Sequence, residues 1–293
     1  MDGVLVVDKP QGLTSHDIVN RVRRLANTRK VGHLGTLDPM ATGVLPLVVG
    51  RATRLAQFFS AGEKKYEGRI RFGWATDTYD RDGAPVSPET EPHFTRAELE
   101  AALAQFRGTL RQTPPPFSAK KIAGTPAYRM ARKGLAVELE PVEIQIFALD
   151  LLEFDGASAQ VRVHCSAGTY VRSIAHEVGR VLGCGAFLDS LRRTASGEFT
   201  ESQARTLEAL QELAAAGHIA DAVIPNSRLL PDFPSAAVDA LTAGQIRQGK
   251  DFRISPFVDR SGAKYVKAIG PGGDLIAIGE ARLPHLYHPV RVL

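Results

Sequence analysis

Two long segments with alternating apolar side chains lie next to each other in the chain and constrain its fold most strongly. Residues 142–154 and 160–166 each have the pattern of a strand, and the turn-forming pair Asp155-Gly156 lies between them. A connection this short suits two neighbouring strands of one sheet that run in opposite directions. The sequence therefore predicts an antiparallel pair in the body of the fold.

Other segments follow either the strand or the helix period, without the regular strand–helix alternation of a parallel sheet. Residues 66–74 alternate as a half-buried strand. A helix with apolar residues on one face over 18–25 is expected to begin at a cap on Thr14 or Ser15, and Thr169 is expected to cap another helix. These patterns predict an α+β fold with a mixed, largely antiparallel sheet and flanking helices.

The composition of the chain changes after Pro225. Prolines, glycines and short apolar stretches replace the longer periodic segments. This change predicts a body of residues 1–228 and a small β-rich module of residues 229–293, with the boundary near residue 228.

The overall composition is that of a soluble globular protein, with 44% hydrophobic and 23% charged residues among 293. No apolar run approaches the ~18 residues of a membrane span, and the first residues do not resemble a signal peptide. Cys165 and Cys184 form neither a CxxC pair nor a metal quartet. We therefore expect a cytoplasmic protein without membrane association.

Charge alternates in blocks along the chain although the net charge is only +4. Residues 1–75 contain twelve Lys or Arg and six Asp or Glu, and residues 111–133 contain six basic and no acidic residues. Residues 134–225 are acidic, with six basic and thirteen acidic residues. Such blocks are typical of a chain that holds a polyanion locally. Charge alone leaves ordinary solvated faces as an equal alternative.

Common catalytic motifs are missing from the sequence. No GxxxxGK[ST] phosphate loop, complete dinucleotide fingerprint, HExxH zinc motif or GxSxG elbow occurs. Asp80-Arg81-Asp82-Gly83 lacks the downstream Glu of a calcium loop. Two classes of protein remain after these exclusions: an enzyme that uses ordinary side chains, and a binding protein.

The segment from Gly32 to Pro46, GHLGTLDPMATGVLP, is too particular for a generic loop. It presents the carboxylate of Asp38 on a turn that is restricted by Pro39 and flanked by glycines. By turn chemistry alone, an Asp before a Pro is an ordinary turn former.

This segment strongly resembles the catalytic motif of the TruB family, the tRNA pseudouridine-55 synthases. Further segments resemble that family in the same order over some two hundred residues. They are Lys9-Pro10-x-Gly12-x-Thr14-Ser15, Lys65-Tyr66 with Gly73-x-x-Thr76-Asp77-Thr78-x-Asp80, Pro114-Pro115-Pro116-Phe117-Ser118-Ala119-x-Lys121 with Tyr128-x-x-Ala131-Arg132-x-Gly134, Cys165-x-x-Gly168-Thr169-Tyr170-Val171-Arg172-Ser173, and Leu191-Arg192-Arg193-Thr194-x-x-Gly197-x-Phe199. The resemblance implies the pseudouridine-synthase fold with a PUA-like C-terminal domain.

The resemblance implies a catalytic role for three residues. Asp38 matches the family's nucleophile, which attacks either the base or the sugar carbon, and Arg172 matches the arginine paired with it. Tyr66 matches the tyrosine that packs on the target base and has a proton-transfer role. Because the isomerisation involves no redox change and loses no group, no cofactor or metal is expected.

The same resemblance implies contacts to a flipped-out uridine. His33 matches a histidine that fills the gap left in the RNA, and Leu191 matches a leucine of the base pocket. By pattern alone, Tyr66 is as well interpreted as a core residue of its strand. The same patterns favour a core role for Leu191, a surface position for Arg172 and an ordinary loop position for His33. The predicted substrate-binding residues are His33, Tyr170, Leu191, Lys9, Gly35, Thr36, Lys65 and Lys121.

The expected partner is the T-arm stem-loop of tRNA, whose uridine at position 55 would be isomerised to pseudouridine. Residues 111–134 are expected to form an RNA-contacting insertion, and the C-terminal module either contacts RNA or is a plain β module. No obligate protein partner is expected, and nothing in the sequence requires more than a monomer. Two rival interpretations are an RNA-folding protein with dispensable chemistry and an unrelated hydrolase with an Asp nucleophile.

Overall fold

The computed structural model of the protein describes residues 1–118, 120–122, 125–127, 130, 139–255 and 262–293. Part of the predicted RNA-contacting insertion at 111–134 lies outside these described residues, as does the side chain of Lys121.

The described residues form many strands of varied length and fewer helices. The strands are β1 (Gly3–Lys9), β2 (Val31–His33), β3 (Thr42–Val49), β4 (Lys64–Phe72), β5 (Gly108–Gln112), β6 (Lys121–Ile122), β7 (Thr125–Pro126), β8 (Val142–Phe154), β9 (Ser158–Cys165), β10 (Ala186–Ser196), β11 (Phe199–Thr200), β12 (Val223–Pro225), β13 (Ser235–Ala237), β14 (Phe252–Arg253), β15 (Tyr265–Ile269), β16 (Leu275–Leu283) and β17 (Leu286–Val292). The α-helices are α1 (Ser15–Leu25), α2 (Ala56–Phe59), α3 (Arg96–Ala104), α4 (Val171–Val181), α5 (Leu207–Ala215) and α6 (Ala240–Arg247).

Ten strands form one large sheet in the order β12-β1-β3-β10-β4-β9-β8-β5, with β2 added to β3 and β11 added to β10. The pairs are antiparallel except for β3 with β10, which run parallel at the centre of the sheet. The mixed, largely antiparallel sheet with flanking helices confirms the fold class predicted from the sequence. The predicted antiparallel pair is also confirmed, as β8 and β9.

The two faces of the large sheet are covered differently. Because successive side chains of a strand point to opposite faces, Leu5 and Val7 of β1 pack in a core with α1 and α4. Val4 and Val6 pack instead in a second core that includes Leu275, from the C-terminal part of the chain. The part of the large sheet that contains β1 is therefore buried on both faces.

Helix α1 begins as predicted. Thr14 is its cap, accepting a hydrogen bond from the Asp17 backbone N–H at 3.1 Å, while the Asp17 carboxylate accepts from the Thr14 N–H at 2.9 Å. This reciprocal box satisfies two N–H groups that a helix start leaves free. The buried face carries Ile18, Val19 and Val22.

Strands β13–β17 form a separate five-stranded sheet in the order β13-β15-β16-β17-β14. The chain enters it through residues 226–233, where the buried ammonium group of Lys267 donates to the Leu229 carbonyl at 2.9 Å. The carboxylate of Glu198, from the large sheet's side, accepts from the Leu230 N–H at 3.2 Å. A β-rich C-terminal domain is thus present and is tied to the main body.

No helix in the described ranges has the length and apolarity to cross a membrane.

Candidate active site

Asp38 lies in the loop between β2 and β3, and Lys9 at the end of β1 holds that loop in place. The fully buried ammonium group of Lys9 donates to the carbonyl oxygens of Leu13 at 2.7 Å, Pro10 at 2.9 Å and Pro39 at 3.3 Å. A buried charge needs such acceptors to replace water. Burial lowers the pKa of Lys9 to about 8. Lys9 thereby connects the N-terminal turn to the residue that follows Asp38.

A second set of contacts joins the same two segments. The hydroxyl of Ser15 donates to the Leu37 carbonyl at 3.1 Å and accepts from the Leu37 N–H at 2.8 Å. The Gly12 N–H donates to the Pro39 carbonyl at 2.8 Å. The N-terminal motif and the Asp38 motif of the sequence therefore form one local structure.

Arg172 meets Asp38 from helix α4. Its Nε lies 2.9 Å from Asp38 Oδ2, and its Nη2 donates to Oδ1 at 3.2 Å. The arginine side chain is buried, whereas 31% of the Asp38 side chain is exposed. The hydrogen bond from Nη2 and the close ion-pair contact of Nε together hold the carboxylate in orientation as well as in position. One edge of the carboxylate is thus fixed while another faces open space.

Three further acceptors hold the Arg172 guanidinium. Its Nη1 donates to the Thr78 carbonyl at 2.8 Å and to Asp80 Oδ2 at 3.2 Å, and its Nη2 donates to the Phe117 carbonyl at 3.0 Å. Tyr79, between the first two acceptors, has a φ of +64°. Such a backbone costs on the order of 1 kcal/mol for a non-glycine residue. The strained turn brings a carbonyl and a carboxylate to the same guanidinium.

The position of Arg172 in the first turn of α4 is unfavourable by itself, because the helix dipole places partial positive charge there. The carboxylates of Asp38 and Asp80 supply the compensating negative charge. Asp80 is a buried residue that the sequence analysis placed only within a motif, without a role. Its partner could not be identified before α4 and the 78–80 turn were placed in space.

Burial raises the pKa of the Asp38 carboxyl above its ordinary value, and the nearby Asp80 acts in the same direction. Arg172 and Lys9 oppose this rise because they favour the ionised form. The Asp38 carboxyl is therefore held in a balance between desolvation, which favours its neutral form, and two cations, which favour its ionised form.

A cavity of about 400 Å³ opens beside the Asp38–Arg172 pair. Tyr66 of β4 and Leu191 of β10 are buried residues on adjacent strands that line it, and Tyr170 lines it from the start of α4. Burial raises the pKa of the Tyr66 phenol, so the hydroxyl stays protonated at neutral pH. A slot with aromatic and apolar walls next to a carboxylate suits a planar heterocycle.

His33, the last residue of β2, lines this cavity and also a second one of about 520 Å³ on the other side of the loop. Asp38, Thr36 and Arg172 line both cavities as well. Burial and the charge of Arg193 lower the pKa of His33, so the neutral ring is favoured. His33 and Asp38 thus both lie between the two cavities and line each of them.

The other predicted substrate-binding residues divide into two groups. Gly35 and Thr36 line the cavity. Lys9 lies beneath the loop with its donors directed at backbone carbonyls, and Lys65 is exposed on the opposite face of β4. The cavity is lined instead by Lys64, which the sequence analysis missed. The period-two alternation that includes Tyr66 places Lys64, and not Lys65, on the same face.

Arg193 is a second cation at the cavity, which the sequence motif contained but to which no role was assigned. It is fully buried in β10, opposite Tyr66 in the strand register. Its Nε donates to the Val44 carbonyl at 2.7 Å, and its Nη2 donates to the Gly35 carbonyl at 3.2 Å. An arginine is almost never buried to this extent unless its charged donors have partners. Its contacts connect the strand that bears Leu191 to the loop that bears Asp38.

Within the residues that the structure describes, no group of three or more His, Cys, Asp or Glu side chains is arranged to hold a metal ion.

Curated relatives cover the whole chain. A protein of Solibacter usitatus (strain Ellin6076) named tRNA pseudouridine synthase B is 59% identical over 293 residues, covering 100% of both chains. A protein of the same name from Azoarcus sp. (strain BH72) is 44% identical over 254 residues, covering 86% of this chain and 84% of its own.

Solved structures share the fold. The archaeal box H/ACA sRNP Nop10–Cbf5 complex contains a chain that matches with a TM-score of 0.72 at 24% identity, over 99% of this chain and 85% of that one.

Two family profiles match consecutive parts of the chain. The TruB family pseudouridylate synthase N-terminal domain matches residues 23–171, and the tRNA pseudouridylate synthase B C-terminal domain matches residues 172–231. Together with a relative that is 59% identical over the full length of both chains, these matches show that the chain belongs to the TruB family of pseudouridylate synthases.

Proposed function

We propose that this protein isomerises the uridine at position 55 in the T-loop of tRNA to pseudouridine, with Asp38 as the nucleophile. The observation that carries the proposal is the partly exposed Asp38 carboxylate, held by Arg172 at the edge of a cavity lined by Tyr66 and Leu191. The tRNA substrate is supported by the name of the full-length relatives.

The reaction breaks the N1–C1′ bond of uridine and forms a C5–C1′ bond. The proton on C5 leaves and N1 gains a proton, so atoms and electrons balance within the substrate. A carboxylate suits this sequence because it can form a covalent adduct and leave again. No cofactor is needed for such an isomerisation, which changes no oxidation state overall.

The base would lie between the side chains of Tyr66 and Leu191, next to the fixed carboxylate. Both residues are buried on adjacent strands, so they would orient the plane of the base. The protonated Tyr66 hydroxyl is available to donate or to relay a proton during the rearrangement. Tyr170 closes the slot from the start of α4.

A uridine within a folded loop must leave its stack to reach this slot, at a cost of a few kcal/mol. His33 lies at the border of the two cavities, where its neutral ring can stack in the gap left by the base. Stacking of a base on a flat side chain recovers ~1–3 kcal/mol. The nucleotide would occupy the cavity beside Tyr66, and the remaining loop would lie over the second cavity.

The wider contacts are proposed from the basic segments and the C-terminal part. We assign residues 1–228 to the catalytic body and residues 229–293 to a PUA-like domain, with Lys65, Lys121 and the 111–134 insertion contacting the RNA backbone. Binding through such contacts is steeply salt-dependent. Gly35 and Thr36 would contact the nucleotide from the Asp38 loop, and Lys9 would act indirectly by holding that loop in place.

The test is to incubate the protein with an unmodified T-arm stem-loop transcript and to map pseudouridine by chemical adduct formation and primer extension. The wild type should modify one uridine, and Asp38→Asn should bind the RNA without forming product. If Asp38→Asn kept the turnover rate of the wild type, Asp38 would not be the nucleophile. RNA binding without product by the wild type would favour an RNA-folding role.

A further inference from the structure

Two cations lie buried side by side in the active-site cavity, apart from the Asp38–Arg172 pair. Lys64 at the start of β4 is 7% exposed and Arg193 on β10 is 1% exposed, and both line the cavity. Both flank Gly35, where an added Cβ would lie 3.4 Å from Arg193 Nη1 and 3.7 Å from Lys64 Cε. The two cations therefore sit against the loop that carries Asp38.

No carboxylate in the described part of the chain forms an ion pair with either cation. The active-site carboxylates of Asp38 and Asp80 are both held by Arg172. Burying a charge without a counter-ion is costly. A site that retains two such charges is arranged for a negative group that arrives from outside.

The two cations differ in how many hydrogen bonds they make to backbone carbonyls, and this difference indicates their roles. The Arg193 guanidinium donates to the carbonyls of Val44, Thr36 and Gly35, so it is fixed by the protein itself. The Lys64 ammonium donates to the Gly62 carbonyl at 2.6 Å. An ammonium group has three donors, so two of them are left for a group in the cavity.

A purely structural role for Lys64 would need only one neutral donor for the Gly62 carbonyl. The side chain instead carries a charge into a position where burial and Arg193 lower the pKa of Lys64 to about 8. Near neutral pH most of the group remains protonated, so the charge is available to a ligand.

We propose that Lys64, backed by Arg193, forms an oxyanion-binding site for the bound nucleotide in the floor of the cavity. The inference rests on the proposed pseudouridine synthase function. Two oxyanions of the substrate share this chemistry: the phosphate next to the flipped uridine, and the uracil oxygens on which negative charge develops when the base detaches.

The experiment compares wild type, Lys64→Met and Lys64→Arg with the unmodified T-arm stem-loop. Dissociation constants are measured over a range of salt concentrations, and product formation is measured under single-turnover conditions at saturating RNA. Melting temperatures establish that each variant is folded. If Lys64→Met does not fold, Lys64→Gln, which keeps a donor for Gly62, replaces it.

A phosphate ligand predicts that Lys64→Met binds RNA about tenfold more weakly, with the slope of log K against log salt smaller by roughly 0.7 to 0.9. A uracil ligand predicts unchanged binding and a single-turnover rate lower by about 100-fold, as for loss of one oxyanion donor. In either case Lys64→Arg should retain most of the wild-type value.

Binding and rate of Lys64→Met within twofold of wild type would overturn the proposal. A loss that is equal in Lys64→Met and Lys64→Arg would also overturn it, since it would indicate packing instead of charge. A failure of the proposed function would give a different result, because the wild type itself would then make no pseudouridine. The binding and salt measurements would still decide whether Lys64 contacts a phosphate.

Discussion

The guanidinium of Arg172 contacts both oxygens of Asp38, with Nε 2.9 Å from Oδ2 and Nη2 3.2 Å from Oδ1. The same guanidinium also holds Asp80, so one buried cation orients the proposed nucleophile and anchors it to the 78–80 turn. The two carboxylates come from segments far apart in the sequence, and α4 brings them together.

Replacement of Arg172 by lysine should lower kcat/KM about 100-fold, because a lysine keeps the charge but cannot span Asp38, Asp80 and their flanking carbonyls, and small misplacements of a reacting group are costly. The measurement is steady-state pseudouridine formation. Arg180→Lys is the matched control, since Arg180 lies on the same helix, is exposed and pairs with Glu177. Activity of Arg172→Lys within twofold of wild type would contradict the orienting role.

The apparent pKa on the acid side of the pH–rate profile should lie above 3.8, the ordinary pKa of an aspartate, because burial raises the pKa of Asp38. Below that pKa the carboxyl is protonated and cannot act as a nucleophile, so kcat/KM falls as pH decreases. Asp80→Asn removes a neighbouring negative charge that contributes to the raised pKa. Its acid limb should therefore move to lower pH even though its maximum rate falls; a shift to higher pH would contradict this electrostatic account.

Replacement of His33 by alanine should weaken RNA binding by at least about fivefold, corresponding to loss of ~1–3 kcal/mol of stacking. His33→Phe should restore most of the binding, because it keeps a flat ring at the border of the two cavities. Fluorescence anisotropy with a labelled T-arm stem-loop measures both. Equal losses in His33→Ala and His33→Phe would indicate a hydrogen-bonding role instead.

Replacement of Gly43 by alanine should destabilise the protein by roughly 2–4 kcal/mol, because strain at positive φ adds to a backbone clash. Gly43 has a φ of +97°, and an added Cβ would lie 2.3 Å from the Arg193 carbonyl oxygen. Gly217→Ala is the matched control, with a φ of +78° and no atom within 4 Å of the added Cβ. Chemical denaturation should show a clearly larger loss for Gly43→Ala; equal losses would place the whole cost in the backbone conformation.

Local patterns were sufficient to predict several elements of the fold. The capped start of α1 and the antiparallel pair β8–β9 follow from capping residues and side-chain alternation that short segments contain. The cap of α4 differs from the prediction, because the helix begins at Val171 with Tyr170 as its cap. The Tyr170 N–H is satisfied by the Gln112 side chain at 2.8 Å, a partner 58 residues away that no local pattern indicates.

The candidate site was only partly predictable for the same reason. The motif resemblance pointed to Asp38 and Arg172, which the structure brings into contact. Lys64 could have been found from its alternation with Tyr66. Arg193 could likewise have been found from its alternation with Leu191 on β10. Its complete burial could not, because it also depends on the pairing of β10 with β3, which are about 150 positions apart in the chain.

The parallel pairing of β3 with β10 has a consequence for substrate selection. Gly43 lies directly against the backbone of Arg193, so the strand that follows the Asp38 loop and the strand that bears Leu191 are closely packed where they pair. Closely packed strands beneath the cavity favour a substrate that changes its own shape on binding. We therefore expect uridines to be discriminated by how readily their own loop opens.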